Sequence, residues 1–253
     1  MKQSGTRAGS ASSAADEVHD VAGIEPGSVR RFVTAFVALS AGLLVVGGIG
    51  RLVVFDTAVG HAEADLVGWI ADHRVGLLDT VATVGSTLTD TWTVIGVLVG
   101  AVTILVSAGH SRSAGVMLAG VALELSVFLT AGAIVDRGRP DVEALHSVPA
   151  TPSFPSGHVA VAVVLYGSLV RIASSLGEAG RTSGRTSGRS PAGVRIIPAG
   201  ITVVIALSRV YEGVHFPTDV VAGAALGVGA SWGASYTAGS ADRASLARRE
   251  DRA

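Results

Sequence analysis

Six apolar runs constrain this chain of 253 residues more than any other feature. They lie at residues 32–55, 92–108, 114–135, 159–176, 196–210 and 220–236. A hydrocarbon core about 30 Å thick is crossed by roughly 20 apolar residues in helix, with a range near 17–25. The runs are continuous and near that length, whereas membrane-barrel strands are about 10 residues long and alternate in facing. The expected fold is therefore all-α, a six-transmembrane-helix bundle. The first run starts too late, and is too long, for a cleaved signal peptide. Composition points the same way. Hydrophobic residues make up 49% of the chain and charged residues 15%, where a soluble domain has about 25% charged. A net charge of −1 gives no basic field to hold nucleic acid, so no nucleic-acid partner is expected. The absence of Cys excludes a disulfide scaffold, a Cys-ligated metal site and a Cys nucleophile.

The basic residues set the expected orientation. With a cytoplasmic N-terminus, 14 of the 19 Lys and Arg fall in cytoplasmic segments. The other five are Arg51, Arg74, Arg137, Arg139 and Arg209. The positive-inside rule then places both termini in the cytoplasm, and an even number of spans agrees. Residues 1–30 read as a disordered cytoplasmic tail rich in Ser, Ala, Gly and acids, 31–238 as the membrane domain, and 239–253 as a second cytoplasmic tail. The repeat from Arg181 to Arg189 reads as a flexible cytoplasmic linker. The outer loop 56–90 carries six acids and only Arg74. The spacing of its Leu66, Trp69, Ile70, Leu77 and Leu78 predicts a helix lying in the membrane interface. Gly223 and Gly227 form a small-xxx-small pair of the kind that lets membrane helices approach closely.

Three polar patches remain, all on the expected outer face. They are Asp136-Arg137-Gly138-Arg139-Pro140, then Ser153-Phe154-Pro155-Ser156-Gly157-His158, then the stretch from Ser208-Arg209 through His215 to Asp219. Arg139 and Arg209 offer planar guanidinium forks that match phosphate oxygens. Ser156 and Gly157 open an apolar helix whose free N–H groups and positive dipole end attract an anion. His158 follows directly and can reach the same anion. Pro217 is suited to the first position of the last helix, which puts Asp219 in its first turn. From there its carboxylate can accept from one ring nitrogen of His215 and free the other as a nucleophile. Two histidines flanking one anion site can supply a nucleophile and a general acid.

The order Arg-Pro, then Pro-Ser-Gly-His, then Ser-Arg-x5-His-x3-Asp resembles the type 2 phosphatidic acid phosphatase superfamily over about residues 114–238. That resemblance implies a six-helix integral membrane enzyme that removes phosphate from lipids with neither metal nor other cofactor. With the three patches on the expected outer face, the active site is expected at the extracytoplasmic interface of the cell membrane. It assigns nucleophilic attack to His215, its orientation to Asp219 and protonation of the leaving oxygen to His158. Arg139, Arg209, Ser156 and Gly157 would hold the phosphoryl oxygens, and a phosphohistidine would form and be hydrolysed by water. The family pattern has Lys seven residues before the Arg of Arg-Pro, and this chain has Gly132 there. Arg137 is the candidate to replace that cation.

The expected partners are the bilayer and a lipid phosphate, with oligomeric state left open. Substrate candidates are polyprenyl pyrophosphate, phosphatidic acid and phosphatidylglycerol phosphate, with the balance towards polyprenyl pyrophosphate or a glycerolipid phosphate. Three alternatives stand beside hydrolysis: phosphotransfer to an alcohol, a vanadate-dependent haloperoxidase, and a catalytically weakened lipid-binding relative. Six spans count against the haloperoxidase, whose members are soluble. The intact His158, His215 and Asp219 count against the non-catalytic relative. Glu124 lies inside the third run, where an ionisable group is costly, and a structural and a functional role are both open for it.

Overall fold

A computed structural model describes residues 27–147, 151–182 and 193–238. Residues 1–26 of the first tail, the second tail and most of the Arg181–Arg189 repeat lie outside the described residues, while Ser28, Val29 and Arg30, placed by the sequence reading in the first tail, are already helical. Eight helices and no strand occur among those described. We number them α1 (Ser28–Gly50), α2 (Ala58–Asp72), α3 (Gly76–Thr87), α4 (Thr91–Ser107), α5 (Ser111–Val135), α6 (Gly157–Thr182), α7 (Gly193–Tyr211) and α8 (Pro217–Thr237). A π-helical turn, Arg51–Phe55, extends α1. Each apolar run falls on one of α1, α4, α5, α6, α7 and α8, and the two extra helices, α2 and α3, lie between α1 and α4.

By length and apolarity alone, Ser28–Phe55 and Ser111–Val135 can each cross a membrane. The helices α3 and α4 make a third crossing if they are taken as one span bent by 49°. Apolar stretches in α6 and α7 are shorter. Residues 56–90 thus differ from the single interfacial helix predicted. His73, Arg74 and Val75 separate two helices, and the second packs on α7 and leads into α4.

The helix α8 is the centre of the bundle, packing on α6, α5 and α1 and more lightly on α7. Its Ala222, Leu226 and Ala230 meet Ala35 and Leu43 of α1, Leu123, Val127 and Ala131 of α5, and Ala160 and Val164 of α6. Leu105, Ala114, Met117 and Leu165 form a second cluster where α4, α5 and α6 meet. Large apolar side chains also cover the outside: Leu52, Leu77, Trp92 and Trp232 are all more than 75% exposed. Water would not tolerate so continuous an apolar exterior, and lipid would.

Two glycines allow the close approaches that place the helix ends around the polar patches. A Cβ on Gly223 would stand 2.3 Å from the Ser156 carbonyl oxygen, so only Gly lets α8 meet the start of α6. A Cβ on Gly60 would stand 2.1 Å from the Phe55 carbonyl oxygen, so only Gly lets α2 fold back on the π-turn. Backbone is the obstacle at both sites and cannot rotate away. Gly223→Ala should cost about 1–3 kcal/mol, the range for overpacking. Gly42→Ala, where nothing lies within 4 Å, should stay within about 0.5 kcal/mol. Thermal unfolding of the two purified variants in detergent measures the difference, and equal midpoints would refute the packing argument.

Candidate functional site

The C-terminal ends of α5 and α7 and the N-terminal ends of α6 and α8 bring the three polar patches together. Asp136 closes α5 in the left-handed conformation with φ 45°, which Asp tolerates better than most residues. The chain then runs through Arg137 and Arg139 and returns at Ser153. The Ser153 N–H donates to the Arg137 carbonyl at 2.8 Å, which pins the second patch to the first. The peptide bond between Phe154 and Pro155 is cis. Pro217 occupies the first position of α8, as its sequence context predicts.

Asp219 lies in that first turn and has no exposed surface. Its Oδ1 accepts from Arg137 Nη1 at 2.6 Å. Its Oδ2 accepts from the Ser153 hydroxyl and from the Phe216 N–H at 2.9 Å. The last of these is a carboxylate satisfying the N-terminus of its own helix. The main-chain carbonyl of Asp219 also accepts from Ser156 N–H at 3.0 Å, so one residue holds both the second and third patches.

His215 is 3% exposed, and its Nδ1 lies 2.8 Å from the Ser153 carbonyl oxygen. A carbonyl can only accept, so Nδ1 carries the hydrogen and the neutral ring keeps its lone pair on Nε2. The sequence pattern pointed to Asp219 as the partner of that ring nitrogen. Instead Asp219 Oδ2 stands 3.9 Å away, an electrostatic contact beyond hydrogen-bond range. The carboxylate reaches the imidazole through Ser153, whose hydroxyl it holds and whose carbonyl holds the ring.

Burial pushes the His215 imidazole below its ordinary value, and Arg139 and Arg209 push the same way against Asp219. A lowered value means the ring takes up its proton only at more acidic pH. An NMR titration of the imidazoles should therefore show the His215 midpoint below about 6.5, the ordinary value for histidine. A midpoint above that value would contradict the burial argument.

His158, the second residue of α6, is partly exposed and lies within the fields of Arg209, His215 and Arg139. Its Nε2 stands 3.9 Å from Asp90 Oδ1, on the turn between α3 and α4. Gly157 beside it is backed by Phe128, whose ring a Cβ would meet at 3.0 Å. Ser156 is fully buried just before α6, yet its hydroxyl has no partner. The first N–H groups of α6 have no helical acceptor either.

The arginines differ from one another. Arg209 is buried and pairs through Nη2 with Glu212 Oε2, while its Nε is buried without a partner. Arg139 is half-buried and tied to the loops: Nε and Nη2 donate to the carbonyl and hydroxyl of Thr151, and Nη1 to the Val214 carbonyl at 2.8 Å. Arg137 is 7% exposed, and its Nη1 and Nη2 donate to Asp219, Thr218 and Glu63. It was expected among the anion-binding cations, and it sits instead behind the site. Gly132, at the family's Lys position, is buried, with Phe154 O at 3.7 Å from where its Cβ would stand.

Residues without an assigned role in the sequence reading therefore matter here. Ser153 holds His215. Glu63 was counted only as one outer acid, yet it lies on the buried face of α2 with Gly60 and Val67, at helical spacing i, i+3, i+7. That spacing is the signal that would have found it. Among the described residues, no group of three or more His, Asp or Glu is arranged to hold a metal ion.

A sequence model of the PAP2 superfamily matches residues 113–242. No curated protein matches the chain significantly. Among solved structures, a transmembrane PAP2-type phosphatidylglycerolphosphate phosphatase from Bacillus subtilis is 24% identical with a TM-score of 0.62, covering 82% of this chain and 94% of its own. LpxE from Aquifex aeolicus is 23% identical with a TM-score of 0.50, covering 67% of this chain and 92% of its own. At these identities the likeness concerns the fold.

Proposed function

Because the chain belongs to the PAP2 superfamily, we propose that it is an integral membrane phosphatase acting on lipid phosphate or pyrophosphate monoesters. One observation carries the reading. Two buried donors without acceptors, Ser156 Oγ and Arg209 Nε, lie in the patches that also carry the free Nε2 of His215. A buried unpaired donor costs about 1–3 kcal/mol, and a phosphoryl oxygen is the acceptor that would satisfy it.

In this reading Arg139, Arg209, Ser156 and the N–H end of α6 at Gly157 bind the phosphoryl oxygens. The Nε2 lone pair of His215 attacks the terminal phosphorus, and its bond to the leaving oxygen breaks; that oxygen is the lipid alcohol's in a monophosphate and the bridging one in a pyrophosphate. His158 gives that oxygen a proton, and a bound dianion favours the protonated ring that this requires. Water then attacks the phosphohistidine, losing a proton to His158, and inorganic phosphate leaves His215 free. Asp219 holds the nucleophile through Ser153. The reaction needs no metal in this scheme. A polyprenyl pyrophosphate or a glycerolipid phosphate fits a site at the membrane surface, because its apolar tail can stay in lipid.

His215→Ala should abolish phosphate release from a panel of lipid phosphates and leave no acid-quenched phosphoenzyme. Turnover at the wild-type rate would defeat the mechanism. His158→Ala should slow phosphoenzyme formation least for a good leaving group such as nitrophenolate. Equal slowing for good and poor leaving groups would remove His158 from the acid role.

The proposed topology has six spans, both termini in the cytoplasm and the site facing outward. It rests on the six apolar runs and on the partition of basic residues. The chain has no Cys, so single-Cys variants report cleanly. In intact cells a membrane-impermeant maleimide should label Asp141→Cys, on the exposed loop after α5. Ala108→Cys, exposed between α4 and α5, should label only after permeabilisation. The reverse pattern would invert the protein.

A further inference from the structure

Asp90 is an N-cap aspartate that does not cap. It precedes α4 with an extended backbone, φ −61° and ψ 148°, yet its side chain accepts no N–H of that helix. An aspartate in this position ordinarily accepts from the second or third N–H of its helix. Here the carboxylate points elsewhere, and its Oδ1 stands 3.9 Å from His158 Nε2. Its charge acts on Arg209 as well. The fold holds it there. The turn between α3 and α4 is tied to α6 by the Tyr166 hydroxyl, which donates to the Leu88 carbonyl at 2.8 Å. Leu88 packs on the cluster of Ala162 and Tyr166 from α6 and Ile205 from α7. Gly85 brings α3 against Ser208 of α7, whose hydroxyl a Cβ there would strike. A negative group is thereby fixed beside an anion site. Asp90 lies outside residues 113–242, the segment that matches the superfamily.

The anion site has little positive charge to offset it. Of the three arginines in the polar patches, Arg137 pairs with Asp219 and Glu63, and Arg209 pairs with Glu212. Arg139 donates to neutral groups of Thr151 and Val214. We propose that Asp90 is a specificity-determining residue that admits phosphate monoesters of a lipid alcohol and penalises lipid pyrophosphates. The reason is where the leaving group must stand. His158 protonates the leaving oxygen, so the group beyond that oxygen lies on the side of His158 and Asp90. In both substrates His215 takes the terminal phosphoryl group. From a monoester the broken phosphorus–oxygen bond leaves an alcohol, neutral once His158 has given its proton. From a pyrophosphate it leaves a lipid monophosphate, an anion whose charge is already present in the substrate as the inner phosphoryl group. That group meets the Asp90 carboxylate with repulsion, and a monoester carries no charge there to repel. The selectivity comes from a repulsive element and needs no added contact to the favoured substrate. This narrows the substrate class of the proposed phosphatase and rests on that reading, with His158 as the acid.

Farnesyl phosphate and farnesyl pyrophosphate share one tail and differ in the leaving group, an alcohol or a monophosphate. Their kcat/KM values are measured with the purified full chain as wild type, Asp90→Asn and Asp90→Ser. Asn and Ser also suit a helix N-cap, and the Asp90 side chain is 57% exposed, so both variants should fold. Asp90→Asn should raise kcat/KM on the pyrophosphate about fivefold or more, the size of one unit-charge repulsion in a wet site, and shift the ratio of the two substrates in its favour. Asp90→Ser should do the same. A pyrophosphate value that does not rise overturns the proposal. So does a rise that farnesyl phosphate shares equally, which would be a general gain in anion binding. A ratio that moves only because farnesyl phosphate slows would make Asp90 a partner of the His158 acid, and overturns it too. Calorimetric titration of the same two ligands into His215→Ala, with and without Asp90→Asn, reads binding in the absence of turnover. Asp90→Asn should tighten the pyrophosphate more than the monophosphate, and equal dissociation-constant ratios would overturn the proposal. If the wild-type chain releases phosphate from neither substrate, the phosphatase reading falls alone, and these dissociation constants still decide the selectivity.

Discussion

A single buried carboxylate organises this molecule. Asp219 has no exposed surface, and leaving such a charge unpaired costs several kcal/mol, so its partners are obligatory. Those partners come from separate places in the chain. Arg137 follows α5, Ser153 precedes α6, and Phe216 opens α8 itself. Its own main chain holds Ser156 at the start of α6. Once α8 is in place, satisfying Asp219 draws the ends of three helices to one point. Breaking a buried pair of the kind Arg137 makes with it costs about 3–5 kcal/mol, far more than a surface ion pair contributes.

The bundle makes that convergence possible. The helix α8 lies at its centre, and its small residues let α1, α5 and α6 reach it. At Gly223 the approach is backbone to backbone, which fixes the height of the α6 start against the first turns of α8. Scaffold and site are therefore one object. The contact that sets the helix spacing lies one turn from the carboxylate that sets the imidazole. On the other side of Asp219, the π-turn at Arg51–Phe55 and the folding back of α2 at Gly60 deliver Phe55 and Glu63 to Arg137.

Much of this was legible in the amino-acid order. Continuous apolar runs have few solutions, and each of the six is helical. Pro217 and Asp219 identify a helix start by local chemistry alone, because Pro suits the first position and an acid suits the first turn. Ser156 sits just before α6 as expected, but its hydroxyl caps nothing and is left unpartnered. The errors were in partners. His215 and Asp219 are four apart, and spacing alone made them a hydrogen-bonded pair. The fold sets them 3.9 Å apart and gives the ring nitrogen to a carbonyl 62 residues away in sequence. Main-chain carbonyls leave no trace in a sequence motif, so this partner had no signal to find. Arg137 and Arg139 stand two apart in one patch and looked alike. Arg139 meets loop carbonyls, while Arg137 is enclosed by two rings and two carboxylates.

By itself the sequence determined the helical class, the apolar exterior, the superfamily and the set of chemical groups gathered at one end. Those follow from composition, run length and short-range spacing, which act locally along the chain. Only the tertiary structure decided which group each side chain faces. Hydrogen bonds to main-chain atoms, the burial of Glu63 and the two-sided enclosure of Arg137 depend on segments far apart in sequence. Their energies arise where helix ends meet, and no local pattern encodes that meeting.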